Sequence, residues 1–241
     1  MIVVIGSPLF MSGSDGELAR AGGLAAGVAT VAAEAGRTVQ LVGRVGEDPA
    51  GEATLLAVAR AGVGHVATLR DAARPTPALD PIDDDANGAG VEDLAVPVEA
   101  LIVGEASGAS PGLDEDRRAT GSSLGPVGSA TLDHDDLELA LRYLDSFAVV
   151  VIAEPLDTAA QAVVADAAAY AGATLIALVG SADEGRAAPA AAIVLEAPAS
   201  DPDGVFARTI GELAAAIDGG TDPATALGSV VAARGWQRSA D

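Results

Sequence analysis

The sequence contains no cysteine, which excludes disulfides, thiolate metal ligands and thiol nucleophiles but names no compartment by itself. It contains no lysine either, since all 13 basic residues are arginine. A phosphate loop of the Gly-x-x-x-x-Gly-Lys-[Ser/Thr] type is therefore ruled out. The 2 histidines, His65 and His134, are far apart in the chain, which argues against a zinc set and a histidine-based triad. No Gly-x-Ser-x-Gly sits in a nucleophile-elbow context. No apolar run approaches the roughly 20 residues that a membrane helix needs. The start, MIVVIGS, carries no basic leader, so it reads as a first buried strand and the expected location is cytoplasmic.

Aromatic residues make up only 2% of a chain that is 50% hydrophobic, so the core has to be built from Ala, Val, Leu and Ile. The net charge is -22. Without clustered arginines there is no phosphate-tracking surface, and nucleic acid is not an expected partner. Acidity on this scale suits a solvated surface adapted to high salt, as in a halophile, because it keeps a protein soluble but self-repelling when salt is low. With 241 residues the chain is expected to form a single domain, 1–241.

The clearest local pattern runs through residues 22–51, GGLAAGVATVAAEAGRTVQLVGRVGEDPAG. Residues 23–35 have a helical pattern stopped by Gly36. Residues 38–42 form an apolar run that suits a buried parallel strand. Residues 43–46 are expected to turn the chain out of the sheet, and Asp48-Pro49 to start the next helix as N-cap and first-turn proline. That helix should stop at Gly62, with an edge-like strand over 63–69. From 71 to about 130 prolines interrupt the pattern; Asp83-Asp84-Asp85 and Asn87-Gly88 read as a turn, 100–103 as a strand, and 104–131 as a long mobile loop. The triple Asp lacks the spacing of a calcium loop.

Order returns at Leu132. Asp133 with Asp136 has the pattern of an N-cap, and Leu137, Leu141 and Leu144 fall on one helical face. Residues 148–153 read as a buried strand ending at Glu154-Pro155, Asp157 as the cap of an Ala-rich helix closed by Gly172, and 173–179 as another strand. Asp222-Pro223 should start a final helix ending near Arg234. Alternating strands and helices argue for a parallel sheet covered on both faces, with ligands beyond the C-terminal strand ends.

The stretch Gly22-Gly23, Gly36, Val42-Gly43-Arg44-Val45-Gly46-Glu47-Asp48 and Gly51 resembles the N-terminal signature of the ribokinase/PfkB carbohydrate kinase family. That resemblance implies an α/β fold: a ribokinase-like three-layer sandwich with a mostly parallel sheet, here with a reduced lid and a truncated C-terminal half. It implies Gly22, Gly23 and Glu154 as substrate-binding residues, with a sugar or nucleoside as substrate and ATP and magnesium as cofactors. Departures are as informative. Gly27 stands where the family has an asparagine. Ser7-Pro8-Leu9-Phe10-Met11 stands where it has sugar-binding polar residues, and a plain loop is expected there.

Residues 201–207, Asp-Pro-Asp-Gly-Val-Phe-Ala, resemble a worn copy of the second family signature, Asp-Thr-x-Gly-Ala-Gly-Asp. Its glycines let backbone N–H groups at a helix start converge on phosphate, and its last Asp is the base. Gly204 is retained as a cofactor-binding candidate, Phe206 replaces a glycine, and Ala207 takes the base position. The twenty or so residues after Val179 contain no Asn, and Asp183 and Glu184 read as loop residues. No catalytic or metal-ligating residue is therefore expected. The favoured reading is a family homologue that lacks phosphotransferase activity and acts in binding or regulation. An active sugar or nucleoside kinase with a relocated base, Asp201 or Asp203, and a purely structural oligomeric module are the alternatives; self-association is left open.

Overall fold

A computed structural model of the chain describes residues 1–12, 19–79, 132–144, 146–180, 189, 192–198, 201 and 203–234. The triple Asp, Asn87-Gly88, the expected strand at 100–103, the loop at 104–131, Asp183 and Glu184 all lie outside the described residues. In chain order the elements are β1 (Ile2–Ile5), β2 (Leu9–Met11), β3 (Arg20–Gly22), α1 (Gly23–Glu34), β4 (Val39–Gly46), α2 (Pro49–Arg60), β5 (Thr68–Asp71), β6 (Ala78–Leu79), α3 (His134–Arg142), β7 (Val149–Ile152), α4 (Thr158–Ala171), β8 (Thr174–Gly180), β9 (Ile193–Ala197), α5 (Val205–Asp218) and α6 (Pro223–Arg234).

The main sheet has six strands in the order β5-β4-β1-β7-β8-β9, and every adjacent pair is parallel. Successive residues of β1 and β7 serve opposite cores. Ile2, Val4, Val149 and Val151 pack with α1, α5 and α6, while Val3, Ile5, Val150 and Ile152 pack with α3 and α4. That alternation makes the sheet the middle of three layers, and it explains why these strands are apolar at every position.

Local chemistry sets most boundaries as expected. Asp48 accepts the Gly51 N–H at 2.7 Å with Pro49 in the first turn. Asp133 and Asp136 form a reciprocal capping box at α3. Asp157 caps α4, which Gly172 closes in the left-handed conformation. Three expectations need correction. Residues 43–46 do not leave the sheet, because β4 continues through them and pairs with Thr68–Asp71 of β5. The edge strand lies at 68–71, overlapping the expected 63–69 only at 68 and 69; over 63–67 only a bridge from Gln40 to Gly64 occurs. Leu9–Met11 is not a loop; it is the middle strand of a small sheet β3-β2-β6. β9 was not foreseen at all.

The most extensive helix contact among the described elements is that of α1 with α5, and small residues permit it. A methyl group on Gly27 would stand 2.9 Å from the Ala207 Cβ, and one on Gly211 would stand 2.7 Å from the Val31 Cβ and 2.9 Å from the Val28 carbonyl oxygen. In an open helix, Gly to Ala gains about 1 kcal/mol. At Gly211 the sign reverses: Gly211→Ala is expected to destabilise the fold by about 1–3 kcal/mol through overpacking, read as a lower urea midpoint.

Candidate functional site

Strand order reverses between β1 and β7. β1 leads to β4 on one side, while β7 adds on the other, so the crevice beyond their C-terminal ends is where open parallel sheets hold ligands. Ser7 and Glu154 lie at that point. Glu154 is 3% exposed. Its Oε2 accepts the Ser7 N–H at 2.8 Å and its Oε1 accepts the Leu132 N–H at 3.3 Å. Burial pushes the Glu154 carboxyl above its ordinary value, and the donors from Ser7 and Leu132 and the Arg44 charge offset this only in part. Both oxygens thus tie the chain after β1 to the start of α3.

Neighbouring polar groups are joined in the same way. The Arg44 N–H donates to Ser7 Oγ at 3.2 Å. The Arg44 guanidinium reaches Asp71 at 3.5 Å and pairs with Asp136 of the α3 capping box. Arg44 therefore links β4, β5 and α3 across the edge of the sheet. Hydrogen bonding from the Asp136 N–H, with help from Arg44, lowers the Asp133 carboxyl. Asp48 accepts the Thr76 N–H at 2.7 Å and the Thr76 hydroxyl at 2.7 Å, which fastens α2 to the segment before β6. These donors, the Thr76 N–H first, lower the Asp48 carboxyl. The Gly43–Asp48 part of the first signature thus meets backbone and carboxylates of its own chain.

Gly22 and Gly23 lie at the junction of β3 and α1. The Met11 side chain lies against Gly22, and a methyl group on Gly23 would stand 3.1 Å from Leu9 Cγ. Apolar side chains of β2 therefore cover the glycine pair.

The start of α5 carries the second candidate. Gly204 is the N-cap in the left-handed conformation (φ 63°) and offers no side chain to the helix. Asp201 supplies the missing acceptor from three residues upstream. Its carboxylate takes the Phe206 N–H at 3.0 Å and the Ala207 N–H at 2.9 Å, and its own carbonyl accepts the Gly204 N–H at 3.1 Å. Asp201 is 7% exposed, whereas Asp203 is exposed. Ala207 is buried against α1. The two positions at which the resembling family carries an asparagine and its base, Gly27 and Ala207, thus meet as a methyl-sized contact.

The fold is ribokinase-like. The chain is similar to the crystal structure of Sa239, with a TM-score of 0.56 and 13% identity over 99% of this chain and 95% of that one. It is also similar to a candidate ribokinase from Agrobacterium tumefaciens, with a TM-score of 0.50 and 14% identity over 94% of this chain and 87% of that one. A sugar kinase from Pyrococcus horikoshii solved with ATP aligns at a TM-score of 0.44 and 16% identity, over 74% of this chain and 53% of that one. The region shared with that kinase is about half its length. No family model and no curated protein matches the sequence.

Among the described residues no group of three or more His, Asp or Glu side chains could hold a metal ion, and no helix is long and apolar enough to cross a membrane. Sequence reading missed the role of Asp201. The signal was an Asp shortly before a helix whose own N-cap is glycine, so that another residue had to satisfy the first N–H groups.

Two outcomes test this geometry. Between the ordinary glutamate value of 4.5 and its raised native value, the folded state holds a proton that the unfolded chain has released. Stability therefore falls as pH rises through that window. Glu154→Gln removes that fall, measured as the difference between its urea midpoints and those of the unaltered protein across pH. Asp201→Ala leaves two buried N–H groups without their acceptor, and a loss of about 1–2 kcal/mol is expected, read by thermal or urea unfolding.

Proposed function

We propose that this chain is a relative of the ribokinase/PfkB kinases that does not transfer phosphate and acts by binding a small molecule or regulating a partner. The observation that carries this reading is at the start of α5. The residue in the position of the proton acceptor is Ala207, packed on Gly27, and its N–H already ends on the Asp201 carboxylate. Alanine takes no proton. A phosphate does not fit this helix start as it stands, because a second anion would have to displace the buried carboxylate that holds the Phe206 and Ala207 N–H groups. No step is therefore derived through a nucleotide.

Other features point the same way. Leu9 and Met11 lie against Gly23 and Gly22, where the resemblance implies sugar hydroxyls, and neither side chain forms a hydrogen bond of the kind a hydroxyl needs. Glu154 has each oxygen engaged by a backbone N–H. Of the two candidates for a relocated base, Asp201 is buried as the cap of α5 and Asp203 is exposed ahead of that helix. A role in binding or regulation asks only that the layered scaffold persist, and the contacts at these positions are those of packing and capping.

Calorimetric titration with Mg-ATP and a panel of sugars and nucleosides, at high salt, tests the proposal. The expected result is binding heat from a small molecule without turnover, whereas no heat from any of them would favour a purely structural module. Steady conversion of ATP with any acceptor would overturn it.

A further inference from the structure

We infer that the cleft between α2 and β5, at the outer edge of the main sheet, binds a small zwitterion with an aliphatic body, the chemistry of an apolar amino acid. The cleft has a volume of about 370 Å³, at the lower end of the range for small-molecule sites. One wall is a stripe of α2. Glu52, Leu55, Leu56 and Ala59 line the cleft with the spacing that puts side chains on one helix face. The other wall is β5 and the turn before it. Thr68 and Arg70 flank Leu69, which packs against the α3 and α4 core, so strand alternation turns both of them to the cleft. His65 completes that wall, and its carbonyl accepts the Thr68 N–H at 3.0 Å.

Charge selects the occupant. Nearby, Arg44 is engaged by Asp71 and Asp136. Arg70 and Glu52 differ. Among the described residues neither side chain has an ion-pair partner, and they line one cleft from its two walls. A simple anion would gain Arg70 but meet Glu52, and a simple cation the reverse. A molecule that carries both a carboxylate and an ammonium answers both. Leu55 and the half-exposed Leu56 offer apolar surface to its hydrocarbon part. The Thr68 hydroxyl donates to the Leu41 carbonyl at 3.0 Å, which leaves its lone pairs for an ammonium. His65 Nδ1 is buried without a partner among the described residues, so no bond from that nitrogen fixes the ring against turning towards an occupant. Although the whole chain carries -22, arginines outnumber acidic residues five to four from residue 37 to 74, so this stretch does not repel a carboxylate. The cleft shares no residue with the crevice at Ser7 and Glu154 and does not rest on the reading of that crevice.

Calorimetric titration of the full chain with free leucine, at one fixed salt concentration, tests the inference. Leucine is expected to bind. Leucinamide lacks the carboxylate, isocaproate lacks the ammonium and glycine lacks the hydrocarbon, so each should bind at least about 5-fold more weakly. Glu52 and Arg70 are exposed, so Glu52→Gln and Arg70→Gln should keep the circular dichroism of the unaltered protein. Each is expected to weaken leucine binding about 5-fold. Arg60→Gln, exposed on α2 but outside the cleft, should leave it unchanged. No heat from leucine, equal binding of any of the three analogues, leucine binding that survives both cleft substitutions, or an equal loss with Arg60→Gln would each overturn it.

Discussion

The close approach of α1 to α5 is the constraint on which the rest of this structure depends. It is possible because Gly27 and Gly211 present no side chain to Ala207 and Val31. With those helices in contact, α5 lies over the β1 and β7 side chains that face it, and α6 packs on α5 in the same core. A core so poor in aromatics has little surface per residue to bury, so it gains its stability from many small side chains at short distance. The same contact removes any polar space between positions 27 and 207. The packing that holds the layer together is made there of residues too small to carry a polar group.

A second theme is that the acidic chain spends several of its carboxylates on its own backbone. Asp201 holds the first turn of α5, Asp48 joins α2 to Thr76, Asp133 and Asp136 close α3, and Glu154 joins Ser7 to Leu132. Each is a charge-assisted bond to an N–H group that helix geometry or a turn leaves without a partner. Glu154 differs from the others because burial outweighs its donors and raises its carboxyl, whereas Asp48 and Asp133 are lowered by theirs. These bonds converge on the C-terminal edge of the sheet. An edge that in open α/β folds faces a ligand is here crossed by Arg44, which bridges Asp71 and Asp136.

Much of the fold was legible from local chemistry. Capping by Asp48, Asp133 and Asp157, and the glycine stops at Gly36 and Gly172, depend on residues within a few positions of one another, so their signals survive in the sequence. β4 was cut short at Val42 because Gly43 and Gly46 read as turn formers, and only pairing with β5 keeps them extended. β2 was missed for a related reason: Leu9–Met11 is too short to show a period, and it is a strand because β3 and β6 flank it. β9 likewise owes its strand geometry to β8 beside it. In each case the hydrogen bonds that decide the conformation come from residues distant in the chain.

For the candidate site the division runs along the same line. The sequence alone determined that position 207 is an alanine, that position 27 is a glycine, and that leucine and methionine follow β1, because residue identity needs no neighbours to be read. Tertiary structure decided that Gly27 and Ala207 touch, that Leu9 and Met11 cover Gly22 and Gly23, and that Glu154 is closed by Ser7 and Leu132. Such contacts join residues that are not neighbours in the sequence, and no local preference encodes which of the many sterically allowed pairings the folded core will select.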